Sequence, residues 1–249
     1  MSYSLSLPAL FLSVAGLVSA DVYPGYEYGN MFYLGPTSDG QYITKATYSM
    51  VVPTPPTDYL TANSDLTFLA LWIGIQDNPN SEDVLDMDFV QPVLSWAPDN
   101  AHLGCDADIE HWCVAASTYL GGDSPTQEQQ AFVVVPSNST VDFEVSLNSS
   151  TTKIDQKVWL NGELVSQQSD AAGMKPAVFY SGNECYNDGC GTLDAYKWED
   201  IVITLNEADA TFDKTLTLTN AKSSGMTTTD GGKTWTIDAI TIEQDALNE

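Results

Sequence analysis

Between residues 141 and 147 the chain alternates with a period of two. Val141, Phe143, Val145 and Leu147 fall on one side, and Asp142, Glu144 and Ser146 on the other. That is the pattern of a strand with one buried face. Phe68–Ile75 is a continuous apolar run, suited to a strand covered on both faces. Lys157–Leu160 and Glu163–Val165 flank Asn161-Gly162, which reads as a hairpin with a type I′ turn. Ile201–Leu205, Lys214–Thr219 and Trp235–Ile242 add further strands, the last after Asp230-Gly231-Gly232. Helix signals are short and poor. The sequence predicts an all-β fold, an antiparallel β-sandwich of two large sheets.

The first residues have a different purpose. An apolar run over Ser4–Leu17, followed by Val18-Ser19-Ala20, has the form of a secretory signal cut after Ala20. The run is too short for a membrane anchor, which needs about 20 apolar residues. A mature chain of about 229 residues suits one large all-β domain. The expected organisation is a signal peptide over 1–20 and an N-terminal arm with the Pro-rich Val52–Thr57 over 21–57. The sandwich then spans 58–243, with a C-terminal tail over 244–249.

Secretion gives meaning to the four cysteines. Cys105, Cys113, Cys185 and Cys190 are an even set, and two disulfides are expected in an oxidising compartment. Three connectivities are possible, of which the local pairs Cys105–Cys113 and Cys185–Cys190 are simplest. The spacings fit no zinc ribbon, and no metal or other cofactor is expected. Asn138 and Asn148 begin N-x-S/T sequons, candidate glycosylation sites.

Charge removes whole classes of function. There are 34 acidic residues against 8 basic ones, for a net charge of −26. Every basic residue is Lys, so there is no bidentate phosphate fork. Nucleic acid and anionic membranes would be repelled. The expected partner is an extracellular polysaccharide or a protein substrate, met by a monomer. The sequence has no G-x-S-x-G elbow, phosphate loop, H-E-x-x-H or dinucleotide fingerprint.

One strand carries a residue out of character. In "DMDFVQPVLSW", residues 86–96, Gln91 shares a face with Met87, Phe89, Val93 and Ser95. An amide there can hydrogen-bond the backbone beside Pro92, contact a ligand, or serve as half of a catalytic pair.

Gln91 belongs to a longer series. Trp72-Ile73-Gly74-Ile75 comes first, then Gln91, then Asp194–Asp200, then Phe212 and Thr217-Leu218-Thr219-Asn220. This series, over roughly residues 66–245, resembles the glutamic peptidases, secreted fungal acid proteases with a concanavalin A-like jelly-roll sandwich. In that family a Glu acts as general base on water while a Gln amide supports the developing oxyanion. Gln91 matches the family's glutamine. The family's glutamate falls on Ala195 or near Ile203, with Glu199 and Glu207 close but out of register. The substrate tract corresponds to Ala115–Gly122, which includes Tyr119. The run Gln91–Trp96 also resembles a "QPVLQW" run in secreted fungal proteins of unassigned role.

Two other patterns invite chemistry. Asp106, Asp108 and Glu110 are spaced for one strand face, where carboxylates could hold Ca²⁺ or perform acid/base work. Beside two cysteines they read more simply as a solvated, disulfide-closed loop, with His111 a structural residue. The aromatic residues, six of them Trp, could form a sugar platform, since ring faces stack on C–H groups while amides bind hydroxyls. Trp72 and Trp96 are favoured by their nearness to Gln91. The leading expectation is a secreted sandwich binding an extracellular polymer, carbohydrate first, in a groove on the concave sheet with Trp72, Gln91, Trp96 and Tyr119. The alternative is an acid endopeptidase using Gln91 with Glu199 or Glu207. A structural cell-wall protein is the third reading.

Overall fold

The computed structural model describes residues 25–60, 67–79 and 86–247. The expected signal segment, residues 1–20, lies outside them. In chain order the strands are β1 (Tyr26–Tyr28), β2 (Met31–Leu34), β3 (Ile43–Val51), β4 (Phe68–Gln76), β5 (Phe89–Val90) and β6 (Val93–Trp96). There follow β7 (Trp112–Ala115), β8 (Ser117–Leu120), β9 (Thr126–Gln129), β10 (Val133–Val135), β11 (Thr140–Leu147), β12 (Ile154–Leu160) and β13 (Glu163–Asp170). The chain closes with β14 (Val178–Tyr186), β15 (Gly191–Leu193), β16 (Tyr196–Leu205), β17 (Thr217–Thr219), β18 (Ala221–Ser223), β19 (Thr234–Ile242) and β20 (Asp245–Leu247). Among the described residues no α-helix forms.

These strands build an antiparallel jelly-roll sandwich. The larger sheet has 11 strands along the path β10-β7-β6-β4-β14-β2-β17, with β1, β5, β8 and β9 extending it. The smaller has seven, in the order β13-β12-β11-β3-β16-β19-β18. The segment read as an N-terminal arm thus includes β1 and β2 of the larger sheet and β3 of the smaller one.

Burial follows the sequence pattern. β4, the uninterrupted apolar run, lies between β6 and β14 and is buried from Leu69 to Gln76. In β11, Val141, Phe143 and Val145 enter the core while their polar neighbours are only partly buried. Asn161 and Gly162 both adopt positive φ, as a type I′ turn requires, and connect β12 to β13. The strand expected over 214–219 is shorter: residues 212–215 form a 3-10 turn, leaving only Thr217–Thr219 extended. There the Thr215 hydroxyl donates to the Phe212 carbonyl, a local bond that competes with the ladder.

Aromatic packing joins the sheets. Tyr48, Phe143 and Trp198 meet in the interior at 5.0–5.9 Å between ring centres. The Tyr48 hydroxyl crosses to the Ile73 carbonyl at 3.0 Å. Beside this core is a buried polar network. The Tyr196 hydroxyl donates to Asn183 Oδ1 at 2.8 Å, Asn183 Nδ2 donates to Asp245 Oδ2 at 2.7 Å, and the Asn30 N–H reaches the same oxygen at 2.6 Å. Asn183→Ala would strand the Tyr196 hydroxyl and take one of two donors from Asp245 Oδ2. It should lower unfolding free energy by about 2 kcal/mol in urea titration.

Both disulfides join near neighbours. Cys105–Cys113 closes a loop ahead of β7, and Cys185–Cys190 ties the end of β14 to the turn that follows. No helix among the described residues is long and apolar enough to cross a membrane.

Candidate functional site on the outer face of the larger sheet

The strand β5–β6 is split by Pro92 yet keeps one register. Val90 pairs with Ile75 and Val93 with Trp72, which sets Gln91 across from Gly74. The alternation is therefore unbroken: Val90, Leu94 and Trp96 enter the interior, and Phe89, Gln91 and Val93 face outward. Ladder pairing then lays out the outer face. One row runs Val93, Trp72, Gly182; the next runs Ser95, Ala70, Glu184, Tyr28. On the other side Tyr180 stands across from Gly74 and beside Tyr33, and Phe89 pairs with Tyr119.

Trp72 is the centre of this face, and two glycines make room around it. A Cβ on Gly182 would come within 2.6 Å of the indole, and one on Gly74 within 2.1 Å of the Phe89 ring. Without those side chains the rings lie close to the sheet. The indole edge meets Phe89 at 5.1 Å and Tyr180 at 5.5 Å, and Phe89 stacks on Tyr180 at 4.9 Å. A second group of rings continues past Glu184: Phe68 on Tyr186 at 5.3 Å, Tyr186 on Tyr26 at 4.8 Å, and Tyr26 on Tyr28 at 6.2 Å.

The polar groups sit among these rings. Trp72 Nε1–H donates to Glu184 Oε2 at 2.8 Å. Desolvation in this setting pushes the Glu184 carboxyl up to about 7, with the indole N–H pulling in the other direction. Tyr26 is pushed up to about 12, by burial first and then by the neighbouring Glu184 and Tyr186 charges. The Gln91 N–H donates to the Ser117 carbonyl at 2.9 Å. Its side-chain Oε1 is buried without a hydrogen-bond partner.

The sequence-selected residues divide between two faces. Trp72, Gln91 and Tyr119 share the outer face. Trp96 does not: it is five residues from Gln91, and that odd offset turns it into the interior. There it is fully buried, with Nε1 donating to the Ile109 carbonyl at 2.8 Å. Glu199 belongs to β16 in the smaller sheet, next to the fully buried Trp198. Glu207 is exposed in the turn beyond that strand. The hydrophobic interior separates Glu199 from Gln91, and Glu207 lies past the end of the same smaller-sheet strand.

The carboxylate that does share the face is Glu184. Its signal was present in the period-two reading of β14, where Tyr180, Gly182, Glu184 and Tyr186 alternate with Phe179, Ser181, Asn183 and Cys185. The acidic run near Cys105 holds no comparable arrangement. Asp106 and Glu110 are exposed there or nearly so, and Asp108 Oδ1 is bound by His111 Nδ1 at 2.5 Å, which draws its carboxyl below the usual range.

No family model matches the sequence, and no curated protein matches it. Solved structures with a similar chain path include the κ-carrageenase of Pseudoalteromonas carrageenovora in complex with an oligotetrasaccharide of κ-carrageenan. It is 7% identical, with 87% of this chain and 79% of that one covered, at a TM-score of 0.34. The β-glucanase of Bacillus licheniformis is 10% identical, covering 88% and 78%, at 0.33. The agglutinin CG-16 of chicken liver is 9% identical, covering 68% and 99%, at 0.33. The chain spans 65% of another match, a native glycosidic hydrolase. At these scores the likenesses carry no argument about what this chain binds or does.

Proposed function

We propose that this is a secreted protein that binds an extracellular carbohydrate polymer across the outer face of its larger sheet. The observation that carries the reading is the belt of partly exposed rings around Trp72 with hydrogen-bonding Gln91 and Glu184 set into it. Ring faces accept the apolar faces of sugars, and the amide and carboxyl accept from hydroxyls. The unpartnered Gln91 oxygen is a buried acceptor that a ligand would satisfy. The two disulfides and the N-terminal signal pattern support secretion.

Affinity electrophoresis through gels holding β-glucan, mannan or xylan tests the reading. Tyr119→Ala and Tyr180→Ala remove partly exposed rings and should each weaken the glycan that is bound by about tenfold, or about 1.4 kcal/mol. Retardation unchanged in both variants would place binding elsewhere.

A second reading, peptide hydrolysis in acid, draws on the shared face of Gln91 and Glu184; burial raises the Glu184 carboxyl, so in acid it would donate a proton rather than act as the general base that the resemblance implies. The two residues are two strands apart and four residues out of line. At about 4.8 Å per strand and about 3.4 Å per residue, roughly 16 Å separates their Cα atoms. They cannot share one water molecule, although one extended substrate chain can touch both. Cleavage of a denatured protein between about pH 2 and pH 6, compared in wild type, Gln91→Ala and Glu184→Gln, tests this reading over the range where carboxylates titrate. Cleavage lost in both variants would favour it over binding alone.

A further inference from the structure

The larger sheet has a composition that its smaller partner does not share. None of its 11 strands contains Lys, Arg or His, although three carry Glu: Glu27, Glu128 and Glu184. Four strands of the smaller sheet each carry a lysine, at positions 45, 157, 197 and 222. These cations have work there. Lys45 and Lys157 both pair with Glu144, and Lys222 pairs with Glu243. The remaining lysines lie in turns or ahead of β12: Lys175 lies over the Tyr42 ring, and Lys233 donates to the Asn206 carbonyl. Both histidines belong to the segment around the Cys105–Cys113 disulfide, where His111 Nδ1 is held by Asp108 Oδ1.

From this distribution we infer that the ligand of the aromatic face is an uncharged glycan, and that uronate and sulfated polymers are rejected there. The inference rests on the carbohydrate-binding reading above and adds to it the charge class of the sugar.

Three penalties act on a charged ligand at this face. A carboxylate or sulfate on the ligand would leave water without gaining a cation, and a desolvated charge without a partner is costly. It would also approach Glu184, whose own carboxyl is already disfavoured as an anion by its surroundings. Finally, the net charge of −26 repels a polyanion before contact, an effect that salt screens over about 10 Å at 0.1 M. A neutral sugar meets none of these penalties. Its hydroxyls can donate to Gln91 Oε1 and bond the Glu184 carboxyl in either protonation state.

The test uses the full-length secreted protein in affinity electrophoresis against laminarin as a neutral glucan, soluble mannan as a second neutral polymer, alginate as a polyuronate and κ-carrageenan as a sulfated polymer. At least one neutral polymer should bind at least tenfold more tightly than either anionic one. Gln91→Lys, which sets a cation among the rings, should bring alginate or carrageenan binding to within threefold of the neutral polymer in that variant. Equal or tighter binding of a polyanion by the wild type would overturn the inference while leaving the carbohydrate reading standing. Binding of none of the four would overturn that reading and the inference with it.

Discussion

Trp72→Ala lowers the unfolding free energy by about 3–5 kcal/mol, the usual cost of deleting a large buried aromatic side chain. Although it stands on an outer sheet face, Trp72 is only 5% exposed, with Phe89 and Tyr180 against its edges. The variant also takes the indole donor from Glu184 Oε2. Urea titration should show the midpoint falling with an unchanged m-value. Trp72→Phe separates the two contributions, because it keeps a ring but loses the N–H. Its cost should be nearer 1–2 kcal/mol. Weaker glycan retardation by Trp72→Ala therefore reports the support beneath the face as much as any contact with sugar. Tyr119 and Tyr180, which keep part of their surface in solvent, are the cleaner probes.

Glu184→Gln makes the protein less sensitive to alkaline conditions. The carboxyl has an ordinary value of 4.5 and is raised to about 7 in the folded chain. Between those two values the native state holds a proton that the unfolded state has released, so stability falls as pH rises. The contribution is fully present below about 4.5 and is lost as pH passes 7, for a total on the order of 3 kcal/mol at about 1.36 kcal/mol per unit. Asp77 and Asp142 are also raised, each chiefly by burial, and act in the same direction. Thermal melts at pH 5 and pH 8 should show the wild type losing more stability across the interval than Glu184→Gln. The amide is neutral throughout and can still accept from the indole. An equal loss in both proteins would mean that Glu184 is ionised in the folded state at pH 5.

Period-two alternation made the sheets readable from sequence. Phe68–Ile75 became the central β4, and Asn161-Gly162 the turn between β12 and β13, because local residue preference and tertiary burial agree there. The face that Gln91 shares with Phe89 and Val93 was also legible, since Pro92 interrupts the hydrogen-bond ladder without adding a residue. Pairing between distant strands was not. A linear motif brings Glu199 close to Gln91 in the mind, but β16 joins the smaller sheet and carries that carboxylate to the far side of the core. Trp96 was selected for nearness in sequence, which on a strand says nothing unless the offset is even. Glu184 stands beside Cys185, and its only mark in the sequence is its shared parity with Tyr180, Gly182 and Tyr186. Its meaning appears only when β14 is set against β4 and the indole of Trp72 lies within reach.

The margins of both sheets have their own consequence. One side of the larger sheet ends in β9 and β10, where all four residues of β9, Thr-Gln-Glu-Gln, are exposed, and the other in the three-residue β17. The smaller ends in β13, which begins with Glu163 and closes with Asp170, and in the three-residue β18 with Lys222. Short or polar margins offer a neighbouring chain few backbone groups to zip onto. Edge-to-edge zipping between copies of this chain is therefore disfavoured at these margins.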